Sequence, residues 1–360
     1  MTSKTARQVA DAPQEAGSAI RHGPHASGAE QSSYAAPPWL PGGHLQTLYA
    51  ALLAPRERVH YARERWDTPD GDFVDVDWLN TSSAVSRGPS ADASADRPLV
   101  VLFHGLEGCS TSHYAHALMN EAAKIGWRGC VVHFRGCGGT PNRLARAYHS
   151  GDSTELDWML RRLRAREVGP LYVVGVSLGA NVLLKWLGEH GSTVSRVVSA
   201  AAAVSAPLDL MAAGDALGRG FNRVYTAAFL KTLKRKSLAK LAQHPHIYDA
   251  ARVRRALTLR AFDDVVTAPL HGFRNTDDYW TRASSKPVLG GIRVPTLMLN
   301  ARNDPFLPAN TLPSAAEVSA CVTREFPDEG GHVGFVSGAF PGHLRWMPQR
   351  LLTFFGHRGC

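Results

Sequence analysis

Continuous apolar runs alternate with amphipathic segments through most of the chain. Runs without polar interruption are typical of strands that are covered on both faces. Between them, apolar residues recur at helical spacing, for example at 112–125 and in the segment that opens at Asp152. This alternation predicts an α/β fold, with a mostly parallel sheet and helices on both faces. The apolar runs lie at 99–103, 129–134, 171–176, 196–204, 296–299 and 320–326.

The first 97 residues follow a different pattern. Residues 1–35 lack any apolar periodicity, which predicts a disordered tail before the ordered domain. A proline-rich stretch then leads into a predicted short helix at 48–53. Two stretches, 59–66 and 73–79, predict antiparallel strands around a turn, and the Ser- and Ala-rich residues 81–97 predict a surface loop.

Between residues 207 and 291 the alternation of strands and helices stops. Helical patterns with aromatic and basic residues replace it, including one at 221–241. Because the segment follows the sixth strand, we expect a helical cap over the carboxyl ends of the strands, inserted between core parts 36–206 and 292–360. One cluster of basic residues predicts a solvated helix face, with membrane contact as the weaker alternative: Lys231, Lys234, Arg235, Lys236 and Lys240.

The apolar run 171–176 leads directly into a Gly-x-Ser-x-Gly motif with Ser177 at its centre. A serine at a sharp turn from strand to helix is held out from the backbone, as a nucleophile must be. A serine hydroxyl also needs a base and an acid that orients the base. Asp304 lies just after the run at 296–299, and His332 lies in a turn-rich loop after the last run. The order Ser, Asp, His is that of α/β-hydrolases and predicts a catalytic triad.

Acyl transfer also requires two N–H donors for the developing oxyanion. The Leu178 N–H, directly after the nucleophile, is one candidate. The second is the Leu106 N–H, which follows the strand at 99–103 and the dipeptide His104-Gly105. We expect His104 to brace this turn and not to act as a base.

Other motifs carry weaker signals. His244 and Asp249 have the spacing of an acyltransferase dyad, but they fall in the predicted cap, where a chance match is the simpler explanation. Asp263 and Asp264 are the alternative carboxylates if Asp304 does not orient the histidine. No phosphate loop or dinucleotide fingerprint follows any strand, which predicts a protein without a cofactor.

Composition narrows the class further. The formal net charge of +9 is spread along the chain, which predicts weak attraction to anionic surfaces and no nucleic-acid partner. Five scattered cysteines and no signal-peptide pattern predict a cytoplasmic protein. No run approaches the ~18 apolar residues of a membrane span. His113 and His116 lack a third ligand, so we predict no metal site.

Taken together, the motifs resemble the YheT-like branch of the α/β-hydrolases, also called AB hydrolase family four. The resemblance covers about 37–355 and excludes the tail and the loop at 81–97. The motifs that carry it are His44-Leu45-Gln46-Thr47, His104-Gly105-Leu106-Glu107-Gly108, Phe134-Arg135-Gly136-Cys137, Tyr148-His149-Ser150-Gly151, Gly175-Val176-Ser177-Leu178-Gly179-Ala180-Asn181, Phe262-Asp263-Asp264, Asn303-Asp304-Pro305-Phe306 and Gly331-His332-Val333-Gly334-Phe335.

The resemblance implies a capped α/β-hydrolase fold with the triad Ser177, Asp304 and His332. It also implies carboxylesterase or acylglycerol lipase activity on short to medium acyl chains, a small-molecule ester as substrate, and a role in lipid metabolism. Some relatives synthesise esters, and some eukaryotic ones carry an N-terminal membrane segment where this chain has a polar tail. Two alternatives stay open: acyl transfer to an alcohol, and a catalytically idle binding protein. The physiological ester and the oligomeric state are not predicted.

Overall fold

The computed structural model describes residues 1–2, 34–80 and 96–357. Its strands form a single sheet in the order β1-β2-β4-β3-β5-β6-β7-β8. β2 runs antiparallel to β1 and β4, and every other neighbouring pair is parallel, so the predicted mostly parallel sheet is confirmed. The strands are β1 Tyr61–Asp67, β2 Phe73–Leu79, β3 Leu99–Phe103, β4 Arg128–Val132, β5 Leu171–Val176, β6 Ala200–Val204, β7 Thr296–Leu299 and β8 Val322–Glu325.

Helices cover both faces of the sheet, as the continuous apolar strands require. Alternate residues of β3 show the division: Val101 packs with the apolar residues of α3 and α4, whereas Val100 and Leu102 pack with those of α2 and α11. The α-helices are α1 Gly43–Leu52, α2 His113–Lys124, α3 Ser153–Arg164, α4 Leu178–His190, α5 Leu210–Leu217, α6 Arg223–Gln243, α7 Ala250–Arg255, α8 Leu259–Val265, α9 Thr267–Leu270, α10 Thr276–Ala283 and α11 Trp346–Gly356.

Element boundaries depart from the predictions where polar residues lie inside an element. The predicted helix at 48–53 begins five residues earlier, at Gly43, because the polar residues Gln46 and Thr47 face the protein interior. The run at 196–204 becomes strand only from Ala200, and a 3₁₀-helix occupies Gly191–Arg196 before it. Strands β3 and β7 match their predicted ranges to the residue.

One residue of the predicted tail packs against the domain. Tyr34, assigned to the tail by its predicted boundary at residue 35, is buried; its hydroxyl donates to the Val336 carbonyl over 2.9 Å. Its ring packs edge-on against Phe335 at 5.3 Å. The other predicted tail residues from 3 to 33, and residues 81–95 of the predicted surface loop, lie outside the described residues.

The segment between β6 and β7, residues 207–291, is helical as predicted and includes α5 to α10. We call it the insertion. It has a small apolar core of its own, with Leu230, Val253 and Phe262 at its centre. Two of its basic residues contradict the prediction of a solvated helix face: Lys236 pairs with Glu107 at 2.9 Å, and buried Lys240 donates to two carbonyls of the loop before α3. The Glu107 carboxylate explains why Lys236 points inward, and the two carbonyl oxygens explain the same orientation of Lys240.

Candidate active site

Ser177 occupies the turn between β5 and α4, with a φ of 52° that side chains rarely adopt. The flanking glycines make this turn possible. A Cβ at Gly175 would lie 2.5 Å from the Gly179 carbonyl oxygen, and a Cβ at Gly179 would lie 2.5 Å from the Phe103 carbonyl oxygen. No side chain fits either position, so the motif is explained by close backbone packing beneath the serine.

The structure brings the three predicted catalytic residues into one hydrogen-bonded chain. His332 Nε2 lies 2.9 Å from Ser177 Oγ, and His332 Nδ1 lies 2.8 Å from Asp304 Oδ2. Because a carboxylate can only accept, Nδ1 carries the hydrogen and Nε2 is left to accept from the serine hydroxyl. The Asp304 side chain is completely buried and also accepts the Phe306 N–H over 2.8 Å. This is the arrangement that activates a serine nucleophile.

The loop after β3 lies beside the nucleophile. β3 and β5 are adjacent parallel strands, and the order of the sheet reverses between them, which opens a crevice at their carboxyl ends. A Cβ at Gly105 would lie 3.1 Å from Ser177 Cβ. Leu106 and Leu178 both line the same cavity as Ser177. Neither of their N–H groups has an acceptor among the described residues, so both remain available to an oxyanion.

Glu107 holds this loop in place. It has a positive φ of 56°, and its N–H donates to the Tyr148 hydroxyl over 2.9 Å. The same hydroxyl donates to Glu107 Oε1 over 2.8 Å, where Lys236 of the insertion also binds. The strained turn after Leu106 is therefore stabilised both by the core and by the insertion.

His104 braces the turn, in agreement with the prediction. Its Nε2 accepts the Phe134 N–H over 3.2 Å, so the hydrogen lies on Nδ1, which donates to the Gly105 carbonyl over 2.8 Å. Complete burial lowers the pKa of His104 to about 3 and keeps the ring neutral. Both ring nitrogens are occupied, which leaves none for catalysis.

Two residues of α1 contact the catalytic loops, and sequence reasoning assigned neither of them a role. Thr47 Oγ1 accepts the His332 N–H over 2.8 Å and donates to the Gly43 carbonyl over 2.6 Å. Gln46 is completely buried; its Oε1 accepts from Asn303 Nδ2 over 3.0 Å and from the Gly330 N–H over 2.9 Å. The signal was present, because both residues belong to a family motif, but a motif does not state what its side chains touch.

Asn303 completes this network. It precedes Asp304, and its Oδ1 accepts the Gly331 N–H over 2.9 Å, one residue before His332. Gln46 thus joins the loop that carries Asp304 to the loop that carries His332. Because the hydrogen bond between these two residues depends on the distance between their loops, α1 is part of the support of the candidate site.

A cavity of about 610 Å³ opens from Ser177 and His332 into the insertion. Its apolar walls come mainly from the insertion, and its polar side includes Glu107, Lys236 and Lys240. A volume of this size accommodates a small amphiphilic ligand. Among the apolar residues of the insertion, Leu210, Leu217 and Phe229 line the cavity, whereas Tyr225 is buried against Phe306 and Phe221 is exposed. The apolar walls are formed by Leu106, Leu178, Leu210, Ala213, Leu217, Phe229, Leu233, Phe262, Val266, Leu270 and Trp280.

The other candidate residues from the sequence have structural roles. His244 Nε2 donates to the Arg143 carbonyl, while Asp249 caps α7, so the two do not form a dyad. Asp263 accepts from Thr267 and Trp280 inside the insertion, and burial raises its pKa to about 6. Asp264 and His113 are likewise occupied: the carboxylate accepts from Thr276, and the ring donates to the Val333 carbonyl. Within the described ranges no three potential metal ligands come together.

Comparison with known families identifies the family of the chain. The family model described as "alpha/beta hydrolase fold" matches residues 98–339, more than half of the chain. The chain belongs to the α/β-hydrolase family. Its fold, an eight-stranded and mostly parallel sheet with helices on both faces, is the predicted one.

Three relatives indicate the kind of hydrolase. The chain is 38% identical to "Putative esterase YheT" of Escherichia coli (strain K12), over 88% of this chain and 92% of the relative. It is 30% identical to "Phospholipase ABHD3" of Mus musculus, over 86% and 74%, and 27% identical to "Monoacylglycerol lipase" of Saccharomyces cerevisiae (strain ATCC 204508 / S288c), over 88% and 78%. The chain is an ester hydrolase of the esterase and lipase type.

A solved structure shares the fold at low sequence identity. The esterase EaEST from Exiguobacterium antarcticum aligns with a TM-score of 0.50 and 17% identity, over 82% of this chain and 99% of that one.

None of the helices in the described ranges is long and apolar enough to cross a membrane.

Proposed function

We propose that this hydrolase cleaves carboxylic esters with short to medium acyl chains, of the carboxylesterase or acylglycerol lipase type, with Ser177 as nucleophile. The observation that carries the proposal is the continuous hydrogen-bonded chain from Ser177 Oγ through His332 to Asp304. The two unpaired N–H groups of Leu106 and Leu178 beside it supply what acyl transfer further requires. The substrate is a small-molecule ester, and no cofactor takes part.

The proposed mechanism has two halves. His332 Nε2 takes the proton from Ser177 as its oxygen attacks the acyl carbon, and the Leu106 and Leu178 N–H groups bind the oxyanion. The imidazolium, stabilised by Asp304, then protonates the leaving alcohol. In the second half, His332 deprotonates a water that attacks the acyl carbon of the acyl-enzyme. Collapse of the second oxyanion then breaks the bond to Ser177 Oγ, which takes the proton back from His332, and the acid is released.

The insertion acts in this proposal as a cap between core parts 36–206 and 292–360. It supplies the apolar walls of the cavity, and a bounded cavity of about 610 Å³ limits the acyl length that fits. Acyl transfer to an alcohol uses the same first half, and no feature of the site favours it over water. A hydrogen-bonded nucleophile argues against an idle binding protein.

We retain the cytoplasmic location and the role in lipid metabolism as parts of the proposal. Each cysteine in the described ranges has a free thiol: Cys109, Cys130, Cys137 and Cys321. Free thiols are what a reducing compartment favours.

The test is Ser177→Ala, measured by fluorophosphonate labelling and by hydrolysis of p-nitrophenyl esters. We expect both to be lost while the melting temperature is maintained, since only a hydroxyl is removed. Ser237→Ala is the matched control, because Ser237 also lines the cavity but does not contact His332. Labelling of Ser177→Ala at the wild-type rate would overturn the proposal.

A further inference from the structure

Helix α1 buries polar residues and exposes apolar ones at several positions. An ordinary surface helix buries its apolar stripe and exposes its polar residues. In α1 the polar residues Gln46 and Thr47 are buried, whereas Leu45 and Leu52 of the helix, and Leu53 directly after it, are 53%, 71% and 70% exposed. The inward polar face is explained by the catalytic loops it binds. The outward leucines have no partner among the described residues that explains them.

Further exposed apolar side chains gather around this helix. Phe221 lies with its ring 4.8 Å from that of His44 in α1, and Val224 follows one turn later. At the other end, Phe340 packs on Trp39, which packs on Tyr49 of α1. Of the ten large apolar side chains that are exposed in the described ranges, six therefore lie on or beside α1. We call these the α1 surface: Leu45, Leu52, Leu53, Phe221, Val224 and Phe340. Single exposed leucines need no explanation, but a cluster of this kind marks an interaction site.

Basic residues flank both ends of the α1 surface. Arg56 and Arg58 follow α1, and the Arg56 guanidinium folds back to donate to the Ala51 carbonyl. Arg219 and Arg223 are exposed on either side of Phe221. The nearby carboxylates are already paired: Glu57 binds Lys124 and Arg345, and Asp215 binds Arg260 and Arg219. An apolar cluster between arginines matches an interface with anionic headgroups above apolar chains.

The α1 surface is also close to the chemistry. The rings of Phe221, Tyr225, Phe306 and His332 follow one another with centroid separations of 6.0, 4.7 and 4.2 Å. A lipid surface bound by Phe221 would therefore lie three ring contacts from the catalytic base. Esters of fatty acids partition into such surfaces, so docking there would raise their concentration at the cavity.

From these observations we propose that the α1 surface docks the protein, reversibly, onto lipid surfaces that carry anionic headgroups. The bound partner is a bilayer surface and not a second copy of the chain or another protein. Only the purpose of docking, which is to bring ester substrates to the cavity, rests on the proposed function. Binding to lipid itself can be measured without any ester substrate.

The experiment measures cosedimentation of the full chain with vesicles. Vesicles of phosphatidylcholine with added phosphatidylglycerol should bind the protein more strongly than vesicles of phosphatidylcholine alone. The variant Leu52→Asp/Leu53→Asp should lower partitioning into the anionic vesicles roughly tenfold or more, because two leucines no longer leave water. Both residues are exposed, so the folded core is not disturbed.

The matched control is Val168, which precedes the amino end of the central strand β5 and is 76% exposed. The α1 surface lies instead beside the loops at the carboxyl ends of the strands. Val168→Asp should bind vesicles like the wild type. Equal loss of binding in this control, or no binding by the wild type, would overturn the inference. So would sedimentation velocity that shows a dimer which Leu52→Asp/Leu53→Asp dissociates, since the α1 surface would then be a subunit interface.

Two further measurements separate docking from catalysis. Ser177→Ala should bind vesicles as well as the wild type does, and Leu52→Asp/Leu53→Asp should hydrolyse a soluble short-chain ester at the wild-type rate. Vesicle binding that is lost selectively in the leucine variant supports docking even if no ester is hydrolysed. Ester hydrolysis without vesicle binding overturns docking and leaves the proposed function intact.

Discussion

The core and the insertion contribute to the cavity by different means. In the core, Ser177, Asp304 and His332 stand on loops at strand ends, and backbone turns and buried side chains such as Gln46 hold those loops. The insertion contributes apolar walls and is attached near the site by ion pairs and single side chains, notably Lys236. The catalytic groups need rigid support, because small displacements lower the rate of reaction. Residues that line the cavity can vary without displacing the catalytic groups. We therefore expect the catalytic rate to depend on the core and the substrate preference to depend on the insertion.

The strongest test of the core, after the serine itself, is Asp304→Asn. The amide no longer selects the Nδ1–H tautomer of His332 or stabilises the imidazolium, so kcat should fall roughly 10³- to 10⁴-fold with little change in KM. Steady-state kinetics on a p-nitrophenyl ester measures this. Asp264→Asn, in the insertion, is the control and should retain activity. Full activity of Asp304→Asn, together with loss of activity in Asp263→Asn, would show that the carboxylate that orients His332 lies in the insertion and not in the core.

The support from α1 is tested with a matched pair at Thr47. Thr47→Val keeps the shape but removes the acceptor for the His332 N–H, so the rate of fluorophosphonate labelling should fall roughly tenfold to a hundredfold. Thr47→Ser keeps the hydroxyl and should label at nearly the wild-type rate. If both variants lost labelling in proportion to their melting temperatures, Thr47 would matter for stability alone.

The insertion is tested by the acyl-length profile of Phe229→Ala. Phe229 lines the cavity, and its removal should move the best acyl length in kcat/KM to longer chains, by up to about fourfold in rate for each added methylene that becomes buried. Wild type should show a rise and then a fall over a series of soluble p-nitrophenyl esters. Phe221→Ala is the control because Phe221 lies outside the cavity. A wild-type rate that is flat or rises through the longest esters would show that the insertion does not bound the acyl site.

The smallest predicted effect concerns acid stability where the insertion meets the loop before α3. The rings of His149 and His271 lie 4.4 Å apart, and burial lowers their pKa values to about 4 and about 3. Both values are below that of an unfolded histidine, so their stabilising effect is present above about pH 6.5 and is lost as the pH falls towards 4. The loss amounts to at most about 1.4 kcal/mol per group and pH unit.

His271→Phe removes one of these groups. Between about pH 7 and about pH 5, the melting temperature of the variant should decrease by less than that of the wild type, as measured by thermal unfolding. His104 and His113 of the core have lowered pKa values for the same reason, so part of the pH dependence should remain. An unchanged pH dependence would place all of the acid sensitivity in the core.

Sequence reasoning succeeded where one physical requirement acts on neighbouring residues. β3 and β7 matched their predicted ranges because a strand covered on both faces must be apolar throughout. Asp152 caps α3, the helical segment that was predicted to open at this residue, and its side chain accepts the Glu155 N–H. Predictions failed where the partner of a residue lies far away in the chain. The prediction for the lysines of α6 failed for this reason: Lys236 and Lys240 have the spacing of a solvated face, but they bind Glu107 and Asn142, which lie in two different loops, 129 and 98 residues earlier in the chain.

By itself, then, the sequence determined the α/β alternation, the position of the insertion, and the candidates Ser177, Asp304 and His332, because turns and covered strands restrict residues that are close in the chain. Whether these three residues meet, whether Gln46 and Thr47 hold their loops, and whether Leu45 and Leu52 of α1 face outward depends on the tertiary structure. Each of these facts depends on which distant segments pack together. A hydrogen bond across more than two hundred residues leaves no period or spacing in the chain from which to predict it.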